Sequence, residues 1–395
     1  MKAPPGPFRP EFFRSPLRGP WLTAVLGSIL LVLLAIVAAT GFLSHMAYEP
    51  DLRGNAIIPA ARDLPLTFGW PTRPVWLYAA NQSLHVNVGL VALPFLLAKL
   101  WSVIPRLFVW PPVSSPTDGI ERLAIGLLVA SAIFQFATGI VNAQYWYAFH
   151  FNFVVAHYYG AVAFTAALAL HVAVKMPLVW RVWRGQAVTS SDLVAPDPAP
   201  ATMTRRGLLA FAGGASLLLL VANAGESIGA PVRRLAFLAP RRERFPVNKT
   251  AARAKVTPAM VGRSYRLALS GGAAAVSLSR ADLLAMPQHT ARLPIACVEG
   301  WTTTQTWTGV RLAELAALAG VPQAGSAFVR SLQPAGVLSK ASLSGDAVAD
   351  PDALLALKVN GADLPLDHGY PARIIVPALP GVHNTKWVAS IDFAA

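Results

Sequence analysis

Histidines are the first residues of this 395-residue chain whose type and spacing indicate chemistry. His157 and His171 are 14 residues apart, close to four helical turns, so one helix would present both side chains on one face. His85 opens a second apolar segment. An ionisable residue in such a segment is costly and marks a candidate functional site. Two neutral imidazoles from two helices are suitable axial ligands for a haem iron.

Cys297 is the single cysteine of the chain, so the sequence has no internal disulfide framework. It ends an apolar run and is followed by Val298, Glu299, Gly300 and Trp301. A thiolate suits a soft metal, but one cysteine cannot build a zinc or iron–sulfur site. A metal here would take its other ligands from a cofactor such as a dithiolene. Taken alone, the residue leaves a buried apolar side chain as the alternative.

Two kinds of element must position these residues, namely apolar membrane spans and a soluble domain. The chain is 54% hydrophobic and 13% charged, which excludes a disordered chain, a coiled coil and a purely soluble enzyme. A span of about 20 apolar residues is needed to cross a bilayer. Five segments meet this length, at 21–43, 84–104, 120–142, 151–175 and 207–224. The remainder is mixed in polarity and long enough for one soluble domain.

The basic residues predict the orientation of these segments. The formal net charge is +14, which on a soluble protein would suggest a nucleic-acid partner. Twelve lysines and arginines flank one side of the spans, whereas the loops on the other side hold only Arg53, Arg62 and Arg73. The positive-inside rule then places the N-terminus in the cytoplasm. We therefore expect a bacterial inner-membrane protein with a periplasmic C-terminal domain and no nucleic-acid partner.

The fifth span begins with a pair of arginines, Arg205 and Arg206, before a short run rich in alanine and glycine. A Pro-containing stretch precedes the pair. This pattern is typical of a twin-arginine export signal, and an ordinary stop-transfer flank is the alternative. Because such signals export folded cargo, the pattern predicts a cofactor-loaded outer domain.

From about residue 264 the pattern changes to short alternating apolar runs and amphipathic helices, which predicts an α+β domain. We expect helices to begin near residues 279 and 308, and strands at 265–269, 274–278, 292–298, 327–331, 354–359, 372–377 and 387–393. No GxGxxG, Walker or paired-carboxylate signature is present in the sequence.

Several motifs of this region resemble, in order, the molybdopterin-binding domain of the sulfite oxidase superfamily. The resemblance covers about 264–393 and rests on Ala-Cys-Val-Glu-Gly-Trp at 296–301, Trp-Thr-Gly-Val-Arg-Leu at 307–312, Leu-Leu-Ala at 354–356 with Asn-Gly at 360–361, His-Gly-Tyr-Pro-Ala-Arg at 368–373, and the run 377–388. Within the superfamily, the region is most similar to the catalytic subunit of the bacterial periplasmic methionine-sulfoxide reductase.

This resemblance implies a molybdenum–molybdopterin cofactor with Cys297 as the thiolate ligand of the metal. It also implies that two cations hold the pterin phosphate and backbone, and that further polar side chains contact the pterin. These residues are the cations Arg373 and Lys386 and the polar residues His368, Asn384, Thr385 and Ser331. The upstream segment 245–248 is a further candidate contact, although it does not closely match the family.

Residues 15–180 resemble the four-helix b-type cytochromes of bacterial membranes. That resemblance implies an outer haem b bound by His85 and His157. An inner haem would use His171, but the start of the first span has no histidine, and Lys99 faces that depth instead. We therefore expect one haem, with His171 as a candidate ligand of a second haem or a quinone contact. The alternative outer ligands are two interfacial histidines, His45 and His150.

The predicted fold is a membrane α-helical bundle of five spans joined to a soluble α+β sulfite-oxidase-like molybdopterin domain. Its predicted parts are a cytoplasmic tail 1–20, a cytochrome b-like domain 21–180, a linker 181–203, a fifth span 204–226, a connector 227–263 and the molybdopterin domain 264–395. We expect an enzyme that exchanges electrons between a small oxo-transfer substrate and the membrane quinone pool through the haem. Reduction of an S- or N-oxide is favoured. The alternatives are a sulfite-type oxidase that passes electrons inward and a cofactor-free binding module on a haem electron carrier.

Overall fold

The computed structural model describes residues 3–65, 67–147, 149–186, 188, 195, 197–229, 232–241, 243–272 and 275–395. Parts of the predicted tail 1–20 and of the predicted linker 181–203 therefore lie outside the described residues. The chain forms two compact units. The first comprises Met1–Ala39 and His85–Asn223, and the second comprises Thr40–Leu84 and Ala224–Ala395.

Five long helices are apolar enough, by length and composition, to cross a membrane. They are α1 (Pro20–Met46), α2 (Leu77–Val103), α3 (Pro116–Ala143), α4 (Phe153–Trp183) and α5 (Arg205–Ile228). The prediction of five apolar helices is confirmed. α2 starts seven residues before the predicted position 84, because its first turns carry residues such as Tyr78 that are buried in the second unit.

Small and polar side chains set the local geometry of the first unit. The side chains of Ser115 and Asn152 accept backbone N–H groups in the first turns of α3 and α4, which satisfies two of the otherwise unpaired donors of those turns. A Cβ atom on Gly160 would lie 2.2 Å from the Gln135 side-chain nitrogen, so this glycine allows α3 and α4 to approach closely.

The second unit contains two sheets. In the first, the strand order is β2-β1-β10-β5-β6, and β1 and β10 are its one parallel pair. In the second, the order is β3-β4-β7-β8, and β9 also pairs with β7. The strands are β1 (Leu267–Ser270), β2 (Val276–Leu278), β3 (His289–Ala296), β4 (Thr302–Arg311), β5 (Ser326–Ser331), β6 (Lys340–Ser344), β7 (Leu354–Val359), β8 (Ala362–Asp363), β9 (Arg373–Ile375) and β10 (Val388–Ala394).

The described residues of this unit also form four short α-helices: α6 (Ala251–Ala254), α7 (Arg280–Ala285), α8 (Leu312–Leu318) and α9 (Gly345–Ala349). The helix expected from residue 308 begins at Leu312, because Thr302–Arg311 is a strand between β3 and β7. Gly309 permits that pairing, since a Cβ atom there would lie 2.1 Å from the carbonyl oxygen of Leu355. The largest cluster of buried apolar residues among those described lies between the elements and includes Leu267, Leu343, Leu355, Ile374 and Ile391.

Residues 40–84 belong to the second unit, although the sequence places them in the predicted membrane domain 21–180. The Trp70 indole N–H donates to the carbonyl oxygen of Ala378 at 2.7 Å. The Arg73 guanidinium pairs with the carboxylates of Asp350 at 2.8 Å and Asp352 at 2.7 Å. This segment is therefore part of the folded core that holds the C-terminal strands.

Candidate functional site

Cys297 directly follows β3, in a tight turn. Its backbone N–H donates to the carbonyl oxygen of Trp301 at 2.9 Å, and the N–H of Gly300 donates to the Cys297 carbonyl oxygen at 3.0 Å. Gly300 has a φ of 105°, which a side chain would disfavour. The Cys297 thiol donates to the Glu299 carboxylate at 3.4 Å, and the Trp301 indole N–H holds the same oxygen at 3.0 Å.

This environment keeps the free thiol protonated. Burial and the negative charge of Glu299 raise the pKa of Cys297 well above its usual value. A bound metal cation would favour the thiolate instead, because the charge of the ion deprotonates a coordinating thiol. The buried Cys297 thiol therefore suits a metal ligand better than a free nucleophile.

Arg373 and Lys386 approach each other at a loop crossing near β9 and β10. Gly369 makes the crossing possible, because its φ is 112° and a Cβ atom there would lie 3.1 Å from the Arg373 Cβ and 3.3 Å from the Lys386 Cα. The Lys386 ammonium donates to the carbonyl oxygens of Lys249 at 2.5 Å and Asp367 at 2.9 Å. The Arg373 guanidinium donates to the His368 carbonyl oxygen at 3.1 Å.

Both cations are buried, and within the described part of the chain neither forms an ion pair. Burial and, to a smaller extent, the nearby Arg373 charge lower the pKa of Lys386 to about 6, although the Asp367 carboxylate acts in the opposite direction. Burial also lowers the pKa of Arg373 to about 9. Buried charges are normally paired, so two neighbouring basic groups without a carboxylate in an ion pair among the described residues indicate a site for an anion, which would favour the charged form of Lys386. A phosphate group, which arginine binds through its forked donors and lysine as a point charge, fits this pair.

Three polar atoms beside these cations are buried without a hydrogen-bond partner among the described residues. They are Arg373 Nε, Asn384 Nδ2 and Thr385 Oγ1. The Asn384 side-chain oxygen Oδ1 accepts the backbone N–H of Val376 at 2.9 Å, which leaves the side-chain nitrogen Nδ2 as the donor without a partner among the described residues. Buried polar atoms are rarely left unsatisfied, so they indicate a polar ligand. The residues present therefore fit a phosphorylated pterin.

His368 and Ser331 have different surroundings at this site. The His368 ring stacks on Phe245, with ring centroids 3.5 Å apart and planes 10° apart. Burial and the two cations lower the pKa of His368 to about 4, so its ring is neutral. The Ser331 hydroxyl donates to the Lys386 carbonyl oxygen at 2.7 Å. Ser331 thus positions the backbone of Lys386. Its predicted contact with the cofactor stays a prediction.

The first unit brings His85 on α2 and His157 on α4 together, with ring centroids 6.5 Å apart. The His85 Nδ1 lies 3.0 Å from the carbonyl oxygen of Val37. The His157 Nδ1 lies 2.8 Å from the Thr138 hydroxyl, which itself donates to the Phe134 carbonyl oxygen at 2.6 Å. Both Nδ1 atoms must therefore carry the proton, which leaves the lone pair of each ring on Nε2, the arrangement that second-shell partners impose on ligating histidines.

The spacing of this pair fits one metal ion between two imidazoles. Imidazole nitrogens bind a metal at roughly 2 Å, which would hold two opposed ring centroids about 6 Å apart. A Cβ atom on Gly89, one turn after His85 on α2, would meet no described atom within 4 Å. The surface of α2 is thus open at Gly89 itself.

The other histidines of the helical region differ from this pair. His171 is partly exposed, and the Lys99 ammonium donates to the carbonyl oxygen of Thr23 on α1 at 2.6 Å. His45 Nε2 lies 2.9 Å from the Asp63 carboxylate, and His150 is exposed. Among the described residues, no group of three or more His, Cys, Asp or Glu side chains forms a metal site. A metal at either candidate site would therefore need ligands from a cofactor.

The other two histidines of the C-terminal region have different surroundings. His289 pairs with Asp352 at 3.0 Å. His383 is buried in a short turn, where its Nε2 lies 3.3 Å from the Asn55 side-chain nitrogen. Asn55 lies 328 positions earlier in the chain but in the same compact unit.

Comparison with known proteins gives matches to the C-terminal part. The family profile described as "Oxidoreductase molybdopterin binding domain" matches residues 254–395, which begins ten residues before the predicted boundary at 264. Mitochondrial sulfite oxidase of Mus musculus is 32% identical over 163 residues, which are 34% of this chain and 30% of that protein. The NADH nitrate reductase of Volvox carteri is 39% identical over 101 residues, which are 23% of this chain and 12% of that protein.

Among solved structures, the sulfane dehydrogenase SoxCD from Paracoccus pantotrophus is 27% identical and aligns over 33% of this chain and 38% of that chain, with a TM-score of 0.31. The chain spans less than a third of the length of the mouse and Volvox relatives. The family and sequence matches identify the C-terminal part as a molybdopterin-binding oxidoreductase domain of the sulfite oxidase type.

Proposed function

We propose that this protein is a membrane-anchored molybdenum-cofactor oxidoreductase that exchanges electrons between a small oxo-transfer substrate and the membrane quinone pool. The observation that carries this proposal is the pair of buried, uncompensated cations, Arg373 and Lys386, in the same domain as the buried thiol Cys297. A cofactor-free binding module would gain nothing from two buried charges that lower its stability.

The molybdenum cofactor, when bound, supplies the two-electron change and the transfer of an oxygen atom to or from the substrate. Cys297 would ligate the metal through its thiolate. Arg373 and Lys386 would neutralise the phosphate of the pterin, and Asn384 and Thr385 would satisfy its polar edge with the atoms that now lack partners. The role of this chain is to bind and orient the group and to exclude water from it.

The proposal includes a haem b bound by His85 and His157. Their ring centroids 6.5 Å apart, with planes at 80°, and their protonated Nδ1 atoms support this assignment. We propose one haem, because the Lys99 ammonium is bonded to α1 at the level where a second pair would need a histidine. His171 is then a candidate contact for the quinone, or the ligand of a second haem with an unusual partner.

Chain topology supports one membrane arrangement. Residues 40–84 comprise the end of the first apolar helix, the connection after it and the start of the second. Residues 224–395 comprise the end of the fifth helix and the chain after it, and the two stretches form one compact unit. A chain with five crossings puts these two stretches on the same side of the membrane. Combined with the basic residues of the opposite loops, this supports a cytoplasmic N-terminus and a periplasmic C-terminal domain in a bacterial inner membrane. The pair Arg205 and Arg206 would serve as the export signal.

The direction of electron flow has two candidates. We favour reduction of an S- or N-oxide, because the Cys-Val-Glu-Gly-Trp sequence at 297–301 resembles the reductase branch, methionine-sulfoxide reductase in particular. Sulfite oxidation with inward electron flow is the second candidate, since several similar proteins are named sulfite oxidases.

One purification tests these proposals together. The full chain is produced in a host that makes molybdopterin and is purified in detergent, and molybdenum and haem are measured per chain. The sample is then assayed with a quinol analogue against a panel of sulfoxides and N-oxides, and with a quinone analogue against sulfite. We expect about one molybdenum, one haem and turnover of an oxide. Molybdenum near zero would refute the enzyme, and turnover of sulfite alone would select the second candidate.

A further inference from the structure

The segment that follows α5 folds back onto the end of that helix, outside the part of the chain that matches the molybdopterin-binding family. A Cβ atom on Gly225, in the last turn of α5, would lie 2.3 Å from the carbonyl oxygen of Val232, so a larger residue would prevent this approach. The Arg233 backbone N–H donates to the carbonyl oxygen of Gly229 at 2.9 Å. The segment therefore stays close to Ile228, the last residue of a helix that is apolar enough to cross a membrane.

Residues 233–241, which we call the post-α5 loop, have both ends fixed to Glu226 in the last turn of α5. The Arg233 guanidinium donates to the Glu226 backbone carbonyl oxygen at 3.2 Å, and the Arg241 backbone N–H donates to the Glu226 carboxylate at 3.0 Å. Arg233 also closes the loop directly, because it donates to the carbonyl oxygen of Arg241 at 3.3 Å. A short loop whose ends are held together in this way is an Ω-loop, which keeps a defined shape on the surface.

The post-α5 loop buries its small residues and exposes its large apolar ones. Ala236 and Ala239 are buried, whereas Leu235 and Phe237 each keep 55% of their surface exposed. A folded domain in water would be expected to bury the larger side chains instead. An exposed apolar patch beside polar groups marks a surface that contacts another protein or a membrane.

A bilayer is the occupant that best fits this surface. Ile228 at the end of α5 is also exposed, so the loop continues the apolar surface of a candidate span. Arg234, next to Leu235 in the chain, is exposed and forms no ion pair in the described part of the chain. A basic residue beside large apolar ones is typical of segments that lie in the membrane interface. A protein partner would first have to displace lipid from the end of the span.

We propose that the post-α5 loop inserts Leu235 and Phe237 into the outer leaflet of the bilayer, and that Arg234 binds the phosphate of an anionic phospholipid there. The apolar side chains would lie at the boundary of the acyl chains, and the guanidinium would reach the head groups. This inference rests on the proposed function, because it requires α5 to cross the membrane and to end on the outer side. It adds a lipid-binding site that neither the spans nor the cofactor sites provide.

The buried Arg233 connects this loop to the molybdopterin-binding domain. Its guanidinium donates to the carbonyl oxygen of Thr302, the first residue of β4. Thr302 follows Trp301, whose carbonyl oxygen accepts the backbone N–H of Cys297 at 2.9 Å. A loop anchored in the outer leaflet would therefore hold the turn that carries Cys297 at a fixed distance from the membrane surface.

The test places a fluorescent bimane label at three exposed leucines, one per variant, in the cofactor-loaded full chain. Leu235→Cys reports on the loop, Leu217→Cys on α5 reports on the span itself, and Leu318→Cys on α8 is the matched control, with 46% of its surface exposed. Unmodified protein gives the background labelling, since Cys297 is buried. Each sample is placed in nanodiscs of phosphatidylcholine and phosphatidylglycerol, and its molybdenum and haem contents are checked. Quenching is measured with iodide in the water and with a doxyl group on the lipid acyl chain.

We expect the doxyl lipid to quench the labels at positions 235 and 217, and iodide to quench the label at position 318. If the lipid quenches position 217 while position 235 responds to iodide as the control does, the inference is overturned and the membrane anchor of the proposed function stands. A label at position 235 that neither quencher reaches would show that protein covers the loop, which also overturns the inference. If the lipid does not quench position 217, the membrane anchor itself fails.

A second comparison tests the role of Arg234. The label at position 235 is quenched in turn by doxyl-labelled phosphatidylglycerol and by doxyl-labelled phosphatidylcholine at equal mole fraction. We expect phosphatidylglycerol to be preferred, and Arg234→Gln to lower that preference by up to about fivefold, the contribution of one arginine near an anionic surface. Arg330→Gln, which removes the same charge from an exposed position on β5, should leave the preference unchanged. Equal preferences in the two variants would refute the phosphate contact of Arg234.

Discussion

Replacement of Lys386 by methionine offers the sharpest test of the anion site, because it should make the cofactor-free protein more stable. An ordinary lysine has a pKa of about 10.4 in an unfolded chain, whereas burial lowers the pKa of Lys386 to about 6 in the folded protein. Between these values the unfolded chain binds more protons than the folded one, so the stability of the cofactor-free protein rises with pH across this window. The cost of the depressed pKa is roughly 4–5 kcal/mol at pH 7 and roughly 2 kcal/mol at pH 9.

Methionine removes this cost and also removes the two hydrogen bonds to the carbonyl oxygens of Lys249 and Asp367. At about 1 kcal/mol for each bond, we expect Lys386→Met to stabilise the cofactor-free protein by about 2–3 kcal/mol at pH 7 and by nearly nothing at pH 9. The difference between the two pH values, about 2–3 kcal/mol, depends only on the protonation of Lys386 and is the firmer expectation.

The assay is urea unfolding of protein made without molybdopterin, followed by tryptophan fluorescence in detergent at pH 7, 8 and 9. The control is Lys340→Met, because Lys340 is exposed on β6. In protein made with molybdopterin, the same Lys386→Met variant should lose molybdenum, since its phosphate would lack one cation. A variant that is less stable than wild type at pH 7, or whose advantage is the same at every pH, would refute the reasoning that Lys386 is a buried, uncompensated cation.

Three further substitutions separate the parts of the protein. Cys297→Ser should abolish turnover and leave the haem absorption spectrum intact, and persistent turnover would contradict the assignment of the molybdenum ligand. His157→Ala should remove the b-type absorption bands while molybdenum content stays at the wild-type level, and an unchanged spectrum would redirect the assignment to other histidines. Arg73→Met should destabilise the second unit by about 1–3 kcal/mol in thermal unfolding, because it leaves the buried Asp350 carboxylate without its cation. A loss below the error of that measurement would show that residues 40–84 are held without this ion pair.

Much of the fold could be predicted because each element carries its own pattern. A run of about 20 apolar residues predicts a helix without reference to the rest of the chain, and the alternating runs near β5, β7 and β10 predict strands by the same local logic. Cys297 and Lys386 could be named from the motifs around them. The apolar run before Cys297 indicated a buried thiol, whereas the polar sequence around Lys386 gave no signal of its burial.

The predictions from the sequence fail where segments far apart in the sequence contact each other. The stretch 308–311 has the composition of a helix start, yet it forms the end of β4, because two neighbouring strands on either side offer hydrogen bonds to it. Gln82 gave no signal in the sequence, since it lies more than 200 residues from Cys297 and in no known motif. Its side-chain amide nevertheless donates to the carbonyl oxygen of Val298, the residue after Cys297, because residues 40–84 belong to the second unit.

A ligand site differs here from a structural ion pair in whether the basic side chain has a carboxylate partner. Residue types alone do not show this. Arg73 and Arg373 have the same side chain, but Arg73 is paired with two carboxylates and Arg373 is buried with its Nε atom unpaired among the described residues. Folding stability favours the first arrangement and opposes the second. A chain that keeps the second arrangement does so because a ligand supplies the missing charge. The binding free energy of that ligand must exceed the cost of the buried cations, so the site should bind its phosphate group tightly or the domain should be markedly less stable without it.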